Sequence, residues 1–314
     1  MTQNPGIIDV HAHIFAPTYY SVLAELGALT RPNGTIFEPP ADDLDARLAR
    51  MNAAGVAIQV LSPAHAPYFE SEAESVQAAT SANDAFAAYG GASKHRFRFW
   101  ASLPLPHVDA SIREIRRACD DLGAVGITMM CFCRGQSIAQ EAFDPVYEEI
   151  NRRKGIVFLH PCQNGLCSPL LNDWGLTTCA GASMEDSVAA MHLIARRIPQ
   201  RYPDIRFIIP HLGGILPVLL ERLDGQMPRD GLAEAPSATA RRFFYDTVGW
   251  GSRPAMIAAV EAFGAGQLLP GSDYPFLLGW EPYEKTFAHV GAAGLADIDV
   301  NRVLHQNAQQ LLGL

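Results

Sequence analysis

Lysine is nearly missing from this chain of 314 residues. Only Lys94, Lys154 and Lys285 stand beside 21 arginines. Charge of either sign is sparse, at 18% of residues, and the balance is acidic, with a net charge of −9 and a pI of about 5.5. Nucleic-acid binding needs clustered cations. Only Arg196-Arg197 with Arg201, and Arg241-Arg242, come near that, and both read as solvated helix faces. A nucleic-acid partner is therefore excluded. No run approaches the ~20 apolar residues of a membrane span, so no membrane partner is expected. Residues 1–6 lack the basic flank and apolar stretch of a secretory leader, which points to a cytoplasmic protein. Six cysteines are too few for a disulfide framework in a chain this long. No tight C-x2-C pair offers a zinc knuckle. Cys131 with Cys133, and Cys162, Cys167 and Cys179, read as free thiols.

What is present is a globular composition: 48% apolar residues and a mean hydropathy of +0.04. Eight apolar, strand-like runs fall at 7–14, 57–61, 97–103, 125–130, 156–159, 206–210, 243–247 and 267–270. Helical patterns follow them at 42–54, 70–90, 109–122, 140–153, 184–198, 213–226 and 254–263, with two more at 281–290 and 297–312. Asp42 and Asp109 are good N-cap types, and Ser252 stands two residues before Pro254 at a helix start. Eight strand–helix units predict an α/β fold, a (β/α)8 TIM barrel. The rival, a doubly wound sheet, wants a glycine-rich turn after its first strand; Asp9-Val10-His11-Ala12-His13 has no glycine. No repeat or linker divides residues 1–314, so one domain is expected. A lid-like insertion after strand 1 (15–41) and a long loop after strand 5 (161–183) would overhang the catalytic face.

The chemistry concentrates at strand ends. Alternation along a strand sends His11 and His13 to one side, a chelating pair for a borderline metal ion. Alone, H-x-H is a weak signal. His160 ends the fifth strand, His211 ends the sixth, and Asp273 follows the eighth. Five metal-competent or titratable groups thus meet at one barrel mouth, which points to a mononuclear metal site. His65 and His107 read as solvated loop residues, and His95, His192, His289 and His305 as structural.

These segments, Asp-Val-His11-Ala-His13, Phe-Leu-His160-Pro, Pro-His211-Leu-Gly-Gly and Gly-Ser-Asp273-Tyr-Pro-Phe, resemble the amidohydrolase superfamily. More narrowly they resemble its aminocarboxymuconate semialdehyde decarboxylase-like branch. The match runs from Ile7 to Leu314. The resemblance implies that His11, His13, His160 and Asp273 hold a metal, and that His211 is an acid/base beside it. Binuclear members bridge two ions with a lysine or glutamate at a mid-barrel strand end. None of the three lysines sits there, so one divalent ion is expected, zinc ahead of manganese. No lysine is placed for a Schiff base, so no organic cofactor is expected either. The branch also implies a small carboxylic acid as substrate and a homodimer.

The muconate-semialdehyde enzyme clamps its substrate with an arginine in the insertion after strand 1. Here that insertion offers only Arg31, with Arg134 after strand 4 as another cation, so a different acid is expected. Phe15, Tyr19, Tyr20, Phe37, Trp174 and Trp250 would suit a flat, unsaturated acid; Phe15, Arg134, Trp174 and Trp250 are the expected substrate contacts. The expected activity is non-oxidative decarboxylation of a hydroxylated aromatic or similarly conjugated acid, with His211 and Asp273 as catalytic groups. The alternative is a lactonase or amidase using the same site to activate water.

Overall fold

The computed structural model describes residues 6–30, 36–41, 43–93, 95–228 and 230–314. Eight parallel strands follow one another around the barrel in chain order. They are Ile7–His13, Val56–Ser62, Phe97–Ser102, Gly126–Met130, Ile156–His160, Arg206–Ile209, Phe244–Asp246 and Leu268–Leu269. Backbone bonds from Val10 N to Pro270 O (2.8 Å) and from His13 N to Tyr274 O (2.6 Å) join the last strand to the first.

Every barrel strand falls where the apolar runs place it, because a parallel strand packed on both faces must be apolar nearly throughout. The barrel interior is filled by Ile8, Val10, Val60, Trp100, Phe158, Ile208 and Leu269. Trp100 lies stacked on Phe158. Its buried indole N–H donates to Val10 O at 2.9 Å, which meets the hydrogen-bonding need of that group. A larger apolar layer packs the strands against the surrounding helices.

Helix boundaries depart from the sequence reading in instructive places. The insertion after the first strand contains a helix, Pro17–Glu25, with Pro17 at its start. Tyr19, Tyr20 and Leu23 bury its inner face. Asp42 lies outside the described residues; Asp43 caps Leu44–Ala53 by accepting from Asp45 N and Ala46 N. Asp109 is no cap, since its helix starts at Val108. Ser252 does cap Arg253–Phe263. The segment expected to be helical from 213 becomes α-helical only at Leu220–Gln226, after short 3-10 turns at His211–Gly213 and Leu216–Val218. The reason is four successive positive φ angles, from His211 (52°) through Leu212, Gly213 and Gly214 (61°). A short hairpin, Phe132–Cys133 with Gln136–Ser137, follows the fourth strand. Its turn residues Arg134 and Gly135 both have positive φ, as a two-residue hairpin turn of the favoured twist requires.

Candidate active site

Simple alternation would put Asp9, His11 and His13 on one face of the first strand. The structure divides them. Asp9 pairs with Gln59 and Ala12 with Leu61, so three steps on the first strand match two on the second. This bulge lets Val10 and His11 both face the barrel axis. Val10 joins the inner core, and the His11 ring meets Phe158 edge-on at 5.0 Å. Asp9 turns outward and accepts from Ser272 Oγ (2.6 Å) and Tyr283 OH (2.7 Å). Burial pushes Asp9 up to about 6, against the pull of those donors. Behind His13, the buried Arg47 donates to its carbonyl oxygen at 2.6 Å.

Past the bulge, four donor atoms converge. His13 Nε2 lies 3.1 Å from His11 Nε2, from His160 Nε2 and from Asp273 Oδ1. The four ligand atoms all lie within 4.8 Å of one another, and all four residues are buried. The ring nitrogens not facing this centre explain the tautomers. His11 Nδ1 donates to Asp246 Oδ2 at 2.7 Å, and His13 Nδ1 faces Ser62 O at 3.3 Å. Both Nε2 atoms are therefore left with lone pairs pointing inward. Burial holds His11 and His160 well below the usual imidazole range, hence neutral. Burial would also raise Asp273, but the neighbouring histidines hold it below its ordinary value. Two lone pairs, the His160 Nε2 and a carboxylate pressed together are unfavourable unless a cation lies between them. Three imidazoles and a carboxylate suit one divalent ion.

His211 stands beside this cluster, its ring 5.3 Å from that of His11. Its backbone N–H donates to Asp246 Oδ1 at 2.9 Å, so Asp246 fixes both histidines. His211 Nδ1 donates to the fully buried Asp186 at 2.7 Å. Burial disfavours a charge on His211. The Asp186 carboxylate, with Asp246 and Asp273 nearby, outweighs that and holds it up to about 9. His211, raised by its carboxylate partner, is thus set apart from His11 and His160, which burial lowers.

A cavity of about 1000 Å³ opens over Asp273 and reaches Phe276, Tyr68, Met130, Cys162 and Asn164. Arg134 and Trp250, two of the expected substrate contacts, lie on its wall. Arg134 is also ion-paired with Glu70. Phe15 is packed behind the wall against Tyr20, Phe37 and Phe276. Trp174 is not among the lining residues, and it is 78% exposed. Arg31 lies outside the described residues. His65, read from sequence as a solvated loop residue, instead lines the cavity. Its Nδ1 lies 3.1 Å from Tyr20 OH, and its ring is 4.6 Å from that of Phe37. Asp186 and Asp246 escaped the sequence reading. The available signal was weak: an adjacent Glu185-Asp186 pair in a helix and one acid in a strand.

Comparison with known proteins follows the same line. The amidohydrolase family model matches residues 8–314. The 6-methylsalicylic acid decarboxylase of Penicillium expansum is 32% identical over 278 residues, 85% of this chain and 84% of that protein. The 2-amino-3-carboxymuconate-6-semialdehyde decarboxylase of Dictyostelium discoideum is 28% identical over 245 residues, 76% of this chain and 68% of its own. A crystal structure of a dihydroxybenzoic acid decarboxylase from a Polaromonas species, with bound manganese and 2-nitroresorcinol, has the same fold. Its TM-score is 0.81 at 20% identity, covering 99% of this chain and 97% of that one. The chain belongs to the amidohydrolase family, in its aminocarboxymuconate semialdehyde decarboxylase-like branch. Among the described residues, no helix is long and apolar enough to cross a membrane.

Proposed function

We propose that the chain is a metal-dependent, non-oxidative decarboxylase of a hydroxylated aromatic acid, with residues 1–314 as one catalytic domain. The observation that carries this reading is the converging set His11, His13, His160 and Asp273 with His211, bonded to the buried Asp186, beside it. The decarboxylases among its relatives support it. A divalent ion held by those four side chains would withdraw charge from the substrate's carboxylate and adjacent hydroxyl. The donor set accommodates zinc or manganese; we favour zinc for its affinity for imidazole.

The protein's own groups account for the proton. Decarboxylation requires a proton on the ring carbon that bears the carboxylate. The C–C bond then breaks, its electron pair restores the aromatic ring, and CO2 leaves. Asp273, held below its ordinary range, is a poor acid at neutral pH. His211, held protonated by Asp186, is the better donor. Asp186 stays fixed at Nδ1, so the proton delivered is the one on Nε2, and solvent restores it after each turnover. The aromatic and apolar wall of the cavity, Phe276, Phe132, Met130 and Trp250, suits a planar ring. We place the protein in the cytoplasm as a homodimer.

The test is a screen of hydroxybenzoates and muconate-like acids for CO2 release in deuterated water. The product should carry one deuterium at the carbon that lost CO2. Hydrolysis of a lactone, ester or amide with no CO2 from any acid would replace this reading with the hydrolase.

A further inference from the structure

Glu185 is fully buried beside Asp186 and is not one of the four metal-site residues. Four consecutive backbone N–H groups of the loop after the fifth strand point at it instead. Its Oε2 accepts from Cys162 N (2.5 Å) and Gln163 N (3.2 Å). Its Oε1 accepts from Asn164 N (2.9 Å) and Gly165 N (2.8 Å). Turning successive N–H groups onto one acceptor needs an unusual backbone path. Gln163, Gly165, Leu166 and Cys167 all have φ between 56° and 58°. Non-glycine residues held at positive φ are costly, and persist only where surrounding structure compels them. A buried carboxylate satisfied by four donors supplies that compulsion. Cys162, Gln163 and Asn164 line the substrate cavity. The next residue, Asp186, is the partner of His211. One turn of the helix Ala182–Ala195 therefore holds the cavity wall and the proton donor together.

We propose that Glu185 is a positioning residue for substrate recognition, clamping the 162–165 backbone so that Cys162, Gln163 and Asn164 present a fixed wall to the acid's ring substituents. The proposal rests on the decarboxylase reading only for its choice of ligand. Glu185→Gln keeps the size of the side chain. It also replaces one accepting oxygen with an N–H donor facing backbone donors. Gly165→Ala disturbs the same loop from its far side, since a Cβ there would lie 2.4 Å from Asn172 Oδ1. It leaves Glu185 itself unchanged, and serves if the first variant fails to fold.

Both variants should retain their metal and the pH profile set by Asp186 and His211. Amide hydrogen exchange at residues 162–165 should quicken at least ~10-fold. For 2,6-dihydroxybenzoate, KM should rise about 10-fold while kcat changes less than about 3-fold. The preference among hydroxybenzoates with different ring substituents should also change. A merely structural role would not move that preference. Unchanged exchange overturns the clamp. Faster exchange with unchanged KM and preference overturns the recognition role. If the wild-type protein releases CO2 from no acid, the decarboxylase reading fails. Exchange, and calorimetric titration with 2,6-dihydroxybenzoate, then still judge Glu185.

Discussion

Asp186→Asn isolates the proton donor without touching a metal ligand. The carboxylate lies 2.7 Å from His211 Nδ1 and opposes the burial that would otherwise discharge the ring, holding it up to about 9. Replacing it with an amide removes the charge and keeps the shape. His211 then falls toward its ordinary 6.5, since burial pulls it down and only the more distant Asp246 and Asp273 still oppose it. The protonated form is the reactive one, so rate is retained below the controlling pKa and lost above it. At pH 7.5 the protonated fraction drops from nearly all to about one tenth. A full fall to 6.5 corresponds to a loss of kcat of about 10-fold at that pH. The loss should shrink as pH is lowered through 6.5. The descending limb of the pH–rate profile should move down from near 9 toward 6.5. Spectrophotometric decay of a hydroxybenzoate across pH 5.5–9.5, with metal content checked by elemental analysis, reads all of this. An unchanged limb in a metal-replete variant would refute His211 as the acid and leave Asp273 as the proton source.

Other outcomes follow from the same geometry. Elemental analysis should find about one divalent ion per chain, and His11→Ala should lose most of it; two ions, or full occupancy in the variant, would overturn the site. His211→Asn should keep the ion and lose roughly 10²–10⁴-fold in kcat, whereas joint loss of ion and activity would make His211 a ligand. Gly214→Ala would press a Cβ to 2.1 Å from Ser183 O at a φ of 61°, so thermal melting should show a cost above ~2 kcal/mol. Glu149 accepts from Arg152, Arg153 and Arg116, and these bonds outweigh burial and hold it down to about 2. Its contribution to stability is present above about 4.5 and fades as pH falls toward 2. Glu149→Gln should therefore cost ~1–3 kcal/mol at neutral pH, measured by denaturant titration, with the gap to wild type closing in acid.

The barrel and its metal cluster were legible because both are written as local patterns. A buried parallel strand is an apolar run, and a residue at its C-terminal end faces the mouth. His160 shows this plainly: it closes an apolar run and arrives at the centre with no further help. The rest depended on departures from regular periods. Period-2 alternation brings His11 and His13 to one side, yet would also have brought Asp9 with them. Only the bulge between Asp9 and Ala12 separates a buried structural carboxylate from two ligands, and a bulge leaves no composition signal in this strand. A helix was expected from Gly213, just past His211, because a leucine-rich stretch follows it. The chain instead holds four left-handed residues there, a path enforced by Asp246 at the His211 N–H and by the close approach of Gly214 to Ser183. Asp186, Glu185 and Asp246 acquire roles only through partners 20 to 235 residues away. Neither the Glu185-Asp186 pair nor the lone Asp246 follows a spacing rule that reveals such a partner. The ligands were readable from strand position; the groups that set their tautomers and charge became readable only once the barrel was closed.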